Sequence, residues 1–201
     1  MASPSPLEFD TFYHIYSRGN NGQDIFFEDR NYVFFIERYK KYISPIADTF
    51  AYCLLKNHFH LLVKIRPVEG IVSLSSLQEP DVDISKVPSL HFSNFLNSYG
   101  KAMNKSYDHT GSLFQHPFGR KMIVDNMQLY RTAAYIHQNP IKHQLAINRM
   151  DWKWSSFNEV FEGKSQLIKA TSLDDFFGGY TNYLSIEYPL ESFSGIDDFK
   201  D

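Results

Sequence analysis

The chain has one cysteine, Cys53, so no internal disulfide holds it together. No apolar run approaches the ~20 residues that span a bilayer. The opening stretch MASPSPLEFD lacks the charged-then-apolar form of a secretory leader. These absences lead us to expect a soluble, cytoplasmic protein with no membrane partner. No internal repeat is present, which excludes solenoid architectures. Nor is there a strong excess of one charge: the formal net charge is -3, so nothing in the total draws the chain to a polyanion.

What is present is apolar and aromatic. Of 201 residues, 43% are hydrophobic, with 18 Phe and 13 Tyr, enough to bury a real core in one domain or one domain with an appendage. Charge is unevenly spread. Residues 101–150 carry seven Lys and Arg against two Asp, a net of +5. Residues 151–201 carry four Lys against ten Asp and Glu, a net of -6. A basic middle and an acidic tail are compatible with an electropositive working face.

TFYHIYSRG reads as a first strand, ended by Gly19-Asn20-Asn21-Gly22. Helical periodicity covers Glu28 to Ile43, with Val33, Phe34, Ile36 and Tyr39 among its apolar positions. ADTFAYCLL and HFHLLVKIR form a hairpin turned at Lys56-Asn57. A long polar loop follows over about 67–88, of the length that is usually functional or mobile. A second helix spans Ser89 to Tyr107, FGRKMIV is a short strand, and NMQLYRTAAYIHQNP is a helix stopped at Pro140. The order strand, helix, strand, strand, helix, strand predicts an α+β fold, a ferredoxin-like (RRM-like) sandwich. Its antiparallel sheet has helices on one face and leaves the other free. The expected domain is 8–150, and 151–201 form an acidic extension packed on it or trailing from it.

Alternation along the third strand separates two faces. Phe59, Leu61, Val63 and Ile65 form a core face. His58, His60, Leu62, Lys64 and Arg66 form a cationic face led by two imidazoles, which can converge on one divalent ion. On the last helix Leu129, Ala133 and Ile136 make a core stripe. Gln128, Arg131, Thr132, Tyr135, Gln138 and Asn139 fall on the polar side. Asn139 lies one turn beyond Tyr135, and its amide oxygen suits Mg2+ or Mn2+, or alternatively caps the helix end. A cation there would also meet the negative end of the helix dipole.

NHFHLLVK, GSLFQHPFGRKMIV, YRTAAYIHQNPIKHQL and WKWSSF, taken in order, resemble the REP-associated tyrosine transposases. These belong to the single-tyrosine HUH (IS200-like) transposases and nucleases. YSRGNNGQDIF resembles the family's first strand and loop, so the likeness runs from about Phe12 to Phe157. It implies that 8–150 is the catalytic domain, with His58 and His60 as metal ligands, Tyr135 as nucleophile and Asn139 as the remaining ligand. Gln138 would be a less fitting substitute, since related enzymes place glutamine there. Lys56 departs from the family's proline, which alters the turn without removing a ligand.

The implied activity is Mg2+- or Mn2+-dependent nicking and strand transfer of single-stranded DNA at REP-like hairpins, through a 5′-phosphotyrosine. Lys142 and His143 are placed by proximity to help activate the phenol. Arg18, Lys64, Arg66, Arg120, Lys121 and Arg131 would contact phosphates. The tryptophans Trp152 and Trp154 pack the tail onto the domain. Two other readings stay open: a catalytically silent nucleic-acid-binding module of the same fold, and a small metallohydrolase that needs no tyrosine. The resemblance accommodates a monomer or a homodimer.

Overall fold

The aromatic and β-branched runs become strands, and the periodic segments helices, in the computed structural model. It describes residues 5–72, 83–162, 165, 167, 168, 176–178, 182 and 185. In chain order the elements are β1 (Phe12–Arg18), α1 (Asp29–Tyr42), β2 (Ala47–Leu55), β3 (His58–Ile65), α2 (Val68–Val72), α3 (Val87–Ser106), β4 (Gly119–Ile123), α4 (Asn126–Lys142) and α5 (Ser156–Phe161). The strands form one antiparallel sheet in the order β2-β3-β1-β4. This is the expected ferredoxin-like arrangement.

Local chemistry sets the boundaries. Glu28 and Asn31 close a capping box at the start of α1. The β2–β3 hairpin turns at Lys56-Asn57, as predicted. Its turn carbonyls are not left bare: Lys56 O accepts from Ile25 and Phe26, and Asn57 O from Gly19.

One sheet face carries Tyr13, Ile15, Phe59, Leu61, Val63 and Ile65 under α1 and α3, which contribute Phe35, Tyr39, Phe92, Phe95 and Tyr99. Rings meet edge to face there, as Phe35 and Phe95 do at 4.7 Å between centroids. Each such buried side chain contributes about 2 kcal/mol. This is the core face read from the alternation of β3.

The opposite face, expected to be free, is covered by α4. Leu129, Ala133, Ala134 and Ile136 pack on Cys53, Leu55, Leu62 and Ile123. The reason lies in β2, whose Phe50, Ala51, Cys53 and Leu55 make that face apolar enough to require a cover. The cationic residues of β3 make up only part of that face. Thr132, Tyr135 and Asn139 consequently lie buried rather than on a solvated polar side.

Helix α4 also runs past Pro140 to Lys142. Proline costs the ladder its own N–H and crowds the carbonyl four residues back, yet the helix continues. The last turn is closed by His143 N–H to Asn139 O at 2.9 Å, and Leu145 N–H then bonds Pro140 O at 2.8 Å. Asn139 is therefore inside the helix and not its cap. Of the loop expected over 67–88, residues 73–82 lie outside the described residues. Its ends are helical: α2, a 3-10 turn at Ile84–Lys86, and the first residues of α3, which carries Pro88 in its opening turn.

Edge strand β2 is protected by the segment after α4. Leu54 N–H donates to Trp154 O at 2.9 Å, and Tyr52 N–H donates to Ser156 Oγ at 2.9 Å. Trp154 stacks on Tyr32 at 4.5 Å, and Trp152 Nε1 donates to Leu54 O at 2.9 Å. Both tryptophans thus fasten the chain after α4 to the domain. Among the described residues no helix is long and apolar enough to cross a membrane.

Candidate active site

His58 and His60 leave β3 on the α4 side of the sheet and are 3% and 0% exposed. Their rings stand 5.1 Å apart. His58 Nδ1 lies 2.6 Å from Asn57 Oδ1, so the turn residue orients the first histidine. His60 Nδ1 lies 3.1 Å from Nε2 of His14 on β1. Each ring commits Nδ1 to a neighbour, and in each the Nε2 atom is buried.

Helix α4 brings Tyr135 over this pair, within one chain. Its ring is 5.5 Å from His60 and 5.9 Å from His14, edge to face in both cases. Lys142 Nζ sits 5.3 Å from the centroid of the same ring. One turn on, Asn139 Nδ2 donates to Tyr135 O at 2.8 Å, and the buried Asn139 Oδ1 has no hydrogen-bond partner in the protein. A buried amide oxygen left so costs roughly 1–3 kcal/mol, which a ligand would relieve.

The electrostatics are those of neutral imidazoles in a positive field. Burial pushes the His14 and His58 pKa values down to about 3, with Lys121 adding to the effect at His14 and His143, Arg18 and Lys142 at His58. Burial, then the neighbouring His58 and His14, holds His60 well below the ordinary range. At neutral pH all three rings therefore keep a lone pair.

The donors present fit a divalent ion through His58 Nε2, His60 Nε2 and Asn139 Oδ1. They are hard-to-borderline and uncharged. Among the described residues no group of three or more His, Cys, Asp or Glu side chains could hold a metal. Any ion here would depend on the Asn139 amide and on an anionic substrate for charge balance.

The basic residues singled out in the sequence divide. Arg18 ends β1 opposite His58, and Lys121 lies on β4 opposite His14, so both border the site. Lys64 pairs with Asp10 at 2.6 Å, and Arg66 with Asp48 at 2.8 Å, each within the fold. Arg120 points to the α3 side of the sheet, where Nη1 donates to Ser89 Oγ at 3.0 Å. Arg131 is on the exposed face of α4, and Gln138 is half-exposed. His143 is exposed past the helix end, with its ring 4.6 Å from His58.

Two site residues were missed, His14 and Tyr16, whose rings are 5.2 Å apart. Alternation in FYHIYSR puts both on one face of β1, and only the pairing of β1 with β3 makes that the His60 side. The site is closed. Cavities of about 360 and 620 Å3 open elsewhere, beside Tyr32 and Trp154 and beside Lys86 and Arg120, and none of His58, His60, Tyr135 or Asn139 lines them.

No protein-family model and no curated protein matches the chain. Among solved structures, the fold is similar to a REP-associated tyrosine transposase bound to a REP hairpin. That likeness has a TM-score of 0.56 and 15% identity, over 89% of this chain and 96% of that one. Bacterial tRNA(His) guanylyltransferase-like proteins solved with GTP and with ATP overlap less. They have TM-scores of 0.36 and 0.37 and identities of 10% and 12%, covering 69% and 73% of this chain and 70% and 68% of those. The first likeness supports the fold alone. The other two carry no weight.

Proposed function

We propose that the chain is a transposase-like enzyme that nicks and rejoins single-stranded DNA carrying a hairpin. The observation that carries this reading is the ring of Tyr135 on α4 lying 5.5 Å from that of His60 on β3, with the buried, unpartnered Oδ1 of Asn139 one helical turn further on. It is supported by a fold similar to that of a transposase bound to a REP hairpin. The positive field from Arg18, Lys121 and Lys142 suits a phosphate.

In this mechanism Tyr135 Oη forms a bond to phosphorus while the bond from phosphorus to the 3′ oxygen breaks. The phenolic proton is released, and the departing oxygen takes one up to leave as a 3′-hydroxyl. Attack by another 3′-hydroxyl on the 5′-phosphotyrosine reverses the step and rejoins the strand. An ordinary tyrosine ionises near pH 10. The Lys142 ammonium lies 5.3 Å from the centroid of the attacking ring. His58, His60 and Asn139 would hold Mg2+ or Mn2+, which when bound would draw charge from the non-bridging oxygens of the scissile phosphate.

Burial of Tyr135, at 3% exposure, favours a second reading, a silent nucleic-acid-binding module of this fold. One experiment separates them. Wild type and Tyr135→Phe are incubated with Mn2+ and a panel of single strands that fold into hairpins flanked by unpaired bases. A covalent adduct with wild type alone supports the enzyme. Metal-indifferent, salt-sensitive binding with no adduct supports the silent module. Cleavage undiminished in Tyr135→Phe would instead make the protein a metallohydrolase.

A further inference from the structure

His14 lies against both His60 of the proposed ligand pair and Tyr135, and no role has yet been given to it. It is 1% exposed, where a phenylalanine or leucine would cost less to bury. On β1 it lies opposite Leu62, and Tyr16 lies opposite His60, so its contact with His60 runs diagonally across the ladder. That contact is a buried hydrogen bond, Nε2 to Nδ1 at 3.1 Å.

A neutral imidazole has one N–H and one lone pair, and the partner of one nitrogen decides where the proton sits. His58 shows the rule. Its Nδ1 faces the Asn57 amide oxygen, which only accepts, so the proton is on Nδ1 and the lone pair on Nε2. His60 can present the same lone pair only if its own Nδ1–H donates. The acceptor it has been given is His14.

We infer that His14 is a positioning residue that accepts the Nδ1–H of His60 at its own Nε2 and so fixes His60 in the tautomer with a lone pair on Nε2. The inference rests on reading His58 and His60 as metal ligands. It goes further in assigning the choice of tautomer to a residue on another strand. The opposite arrangement, His14 donating, would put the proton on His60 Nε2 and abolish ligation there. Partners that orient ligating histidines in this way typically contribute 10–100-fold in metal affinity.

The test uses the full chain without DNA. Nitrogen-15 NMR of the metal-free protein at pH 7 reports which nitrogen of His60 is protonated, and titration with Mn2+ alone, read by the EPR signal of free ion, gives affinity. His60 is expected protonated on Nδ1, with Mn2+ bound about 10–100-fold more weakly by His14→Phe. His14→Gln, which keeps an accepting oxygen, is expected to recover most of that loss. A His60 proton on Nε2 in wild type overturns the inference. So does Mn2+ affinity in folded His14→Phe or His14→Gln that does not follow the acceptor, or no Mn2+ binding by wild type. The wild-type measurements and His14→Gln stand even if His14→Phe does not fold. A protein that passes these tests but forms no DNA adduct leaves the role of His14 intact and removes the proposed strand transfer.

Discussion

The ring of Tyr135 meets the ring of His60 edge to face at 5.5 Å between centroids, one from α4 and the other from β3. Neither element reaches the other by local sequence. The meeting depends on α4 lying across the sheet, where Leu129, Ala133 and Ile136 seat it on Cys53, Leu55 and Leu62. His137 fixes the same helix from its other side: Nε2 lies 2.7 Å from Ser156 Oγ, which also bonds the backbone of Tyr52 on β2. The geometry of the site is thus a consequence of ordinary helix-on-sheet packing, with the segment after α4 holding the helix in place.

Tyr135→Phe removes one oxygen and keeps the ring in its packing. We expect thermal stability to change by less than about 1 kcal/mol. Covalent capture of hairpin DNA should fall at least ~1000-fold, as for loss of a nucleophile. Denaturing gels with labelled strands and a melting curve measure both. A residual adduct at wild-type level would assign the nucleophile elsewhere.

Asn139→Ala separates stability from ligation. The substitution loses the bond from Nδ2 to Tyr135 O, at a cost of about 1 kcal/mol, and also removes the buried Oδ1 that has no partner. The two effects oppose, so the metal-free variant should melt within about 1 kcal/mol of wild type. Stabilisation by added Mn2+ should be lost. Equal thermal shifts with Mn2+ in wild type and variant would remove Asn139 from the ligand set.

The alternation of FYHIYSR and HFHLLVKI and the helical period of Glu28 to Ile43 made the sheet and α1 legible, because each pattern is set by its own residues. The His58–His60 pair was legible for the same reason. The cover over that face was not, since it depends on β2 and α4 meeting. A polar stripe of Thr132, Tyr135 and Asn139 looks solvated until α4 is seated on the sheet, where all three are buried. His14 was hidden in a different way. Its meaning arises only when β1 is placed beside β3, and a lone histidine in a strand says nothing by itself. The fates of Lys64 and Arg66 depended on acids distant in sequence or on another strand, Asp10 and Asp48.

Gly119 on β4 sits directly against Tyr16, its partner in the ladder. A Cβ at this position would fall 2.1 Å from Tyr16 Cε2, inside the ring's own volume. Gly119→Ala must therefore turn Tyr16 away from His14 or part the β1–β4 pair. We expect a loss of roughly 1–3 kcal/mol by denaturant unfolding, the usual cost of overpacking. Tyr16→Ala in the same background should recover part of it. Additive losses would show that the two positions do not share the space.

Acid should unfold this protein at an unusually high pH. Burial lowers the pKa of His14, His58 and His137 to about 3, and holds His60 well below its ordinary value. Above the ordinary value of 6.5 these rings are neutral whether the chain is folded or not, and they add no pH dependence. Below 6.5 the unfolded chain binds protons that the folded chain refuses, so stability present at neutral pH is lost as pH falls toward the folded values near 3. Each group gives a slope of about 1.4 kcal/mol per pH unit, and four together about 5.6. Set against a stability of about 5–15 kcal/mol, that slope places the midpoint between about pH 4 and 5.5. Circular dichroism against pH, with proton uptake measured through the transition, checks this. A folded protein at pH 3, or uptake of fewer than about two protons, would mean that the buried histidines are charged or hydrated in the native state. The neutral-ligand chemistry proposed for His58 and His60 would then lose its basis.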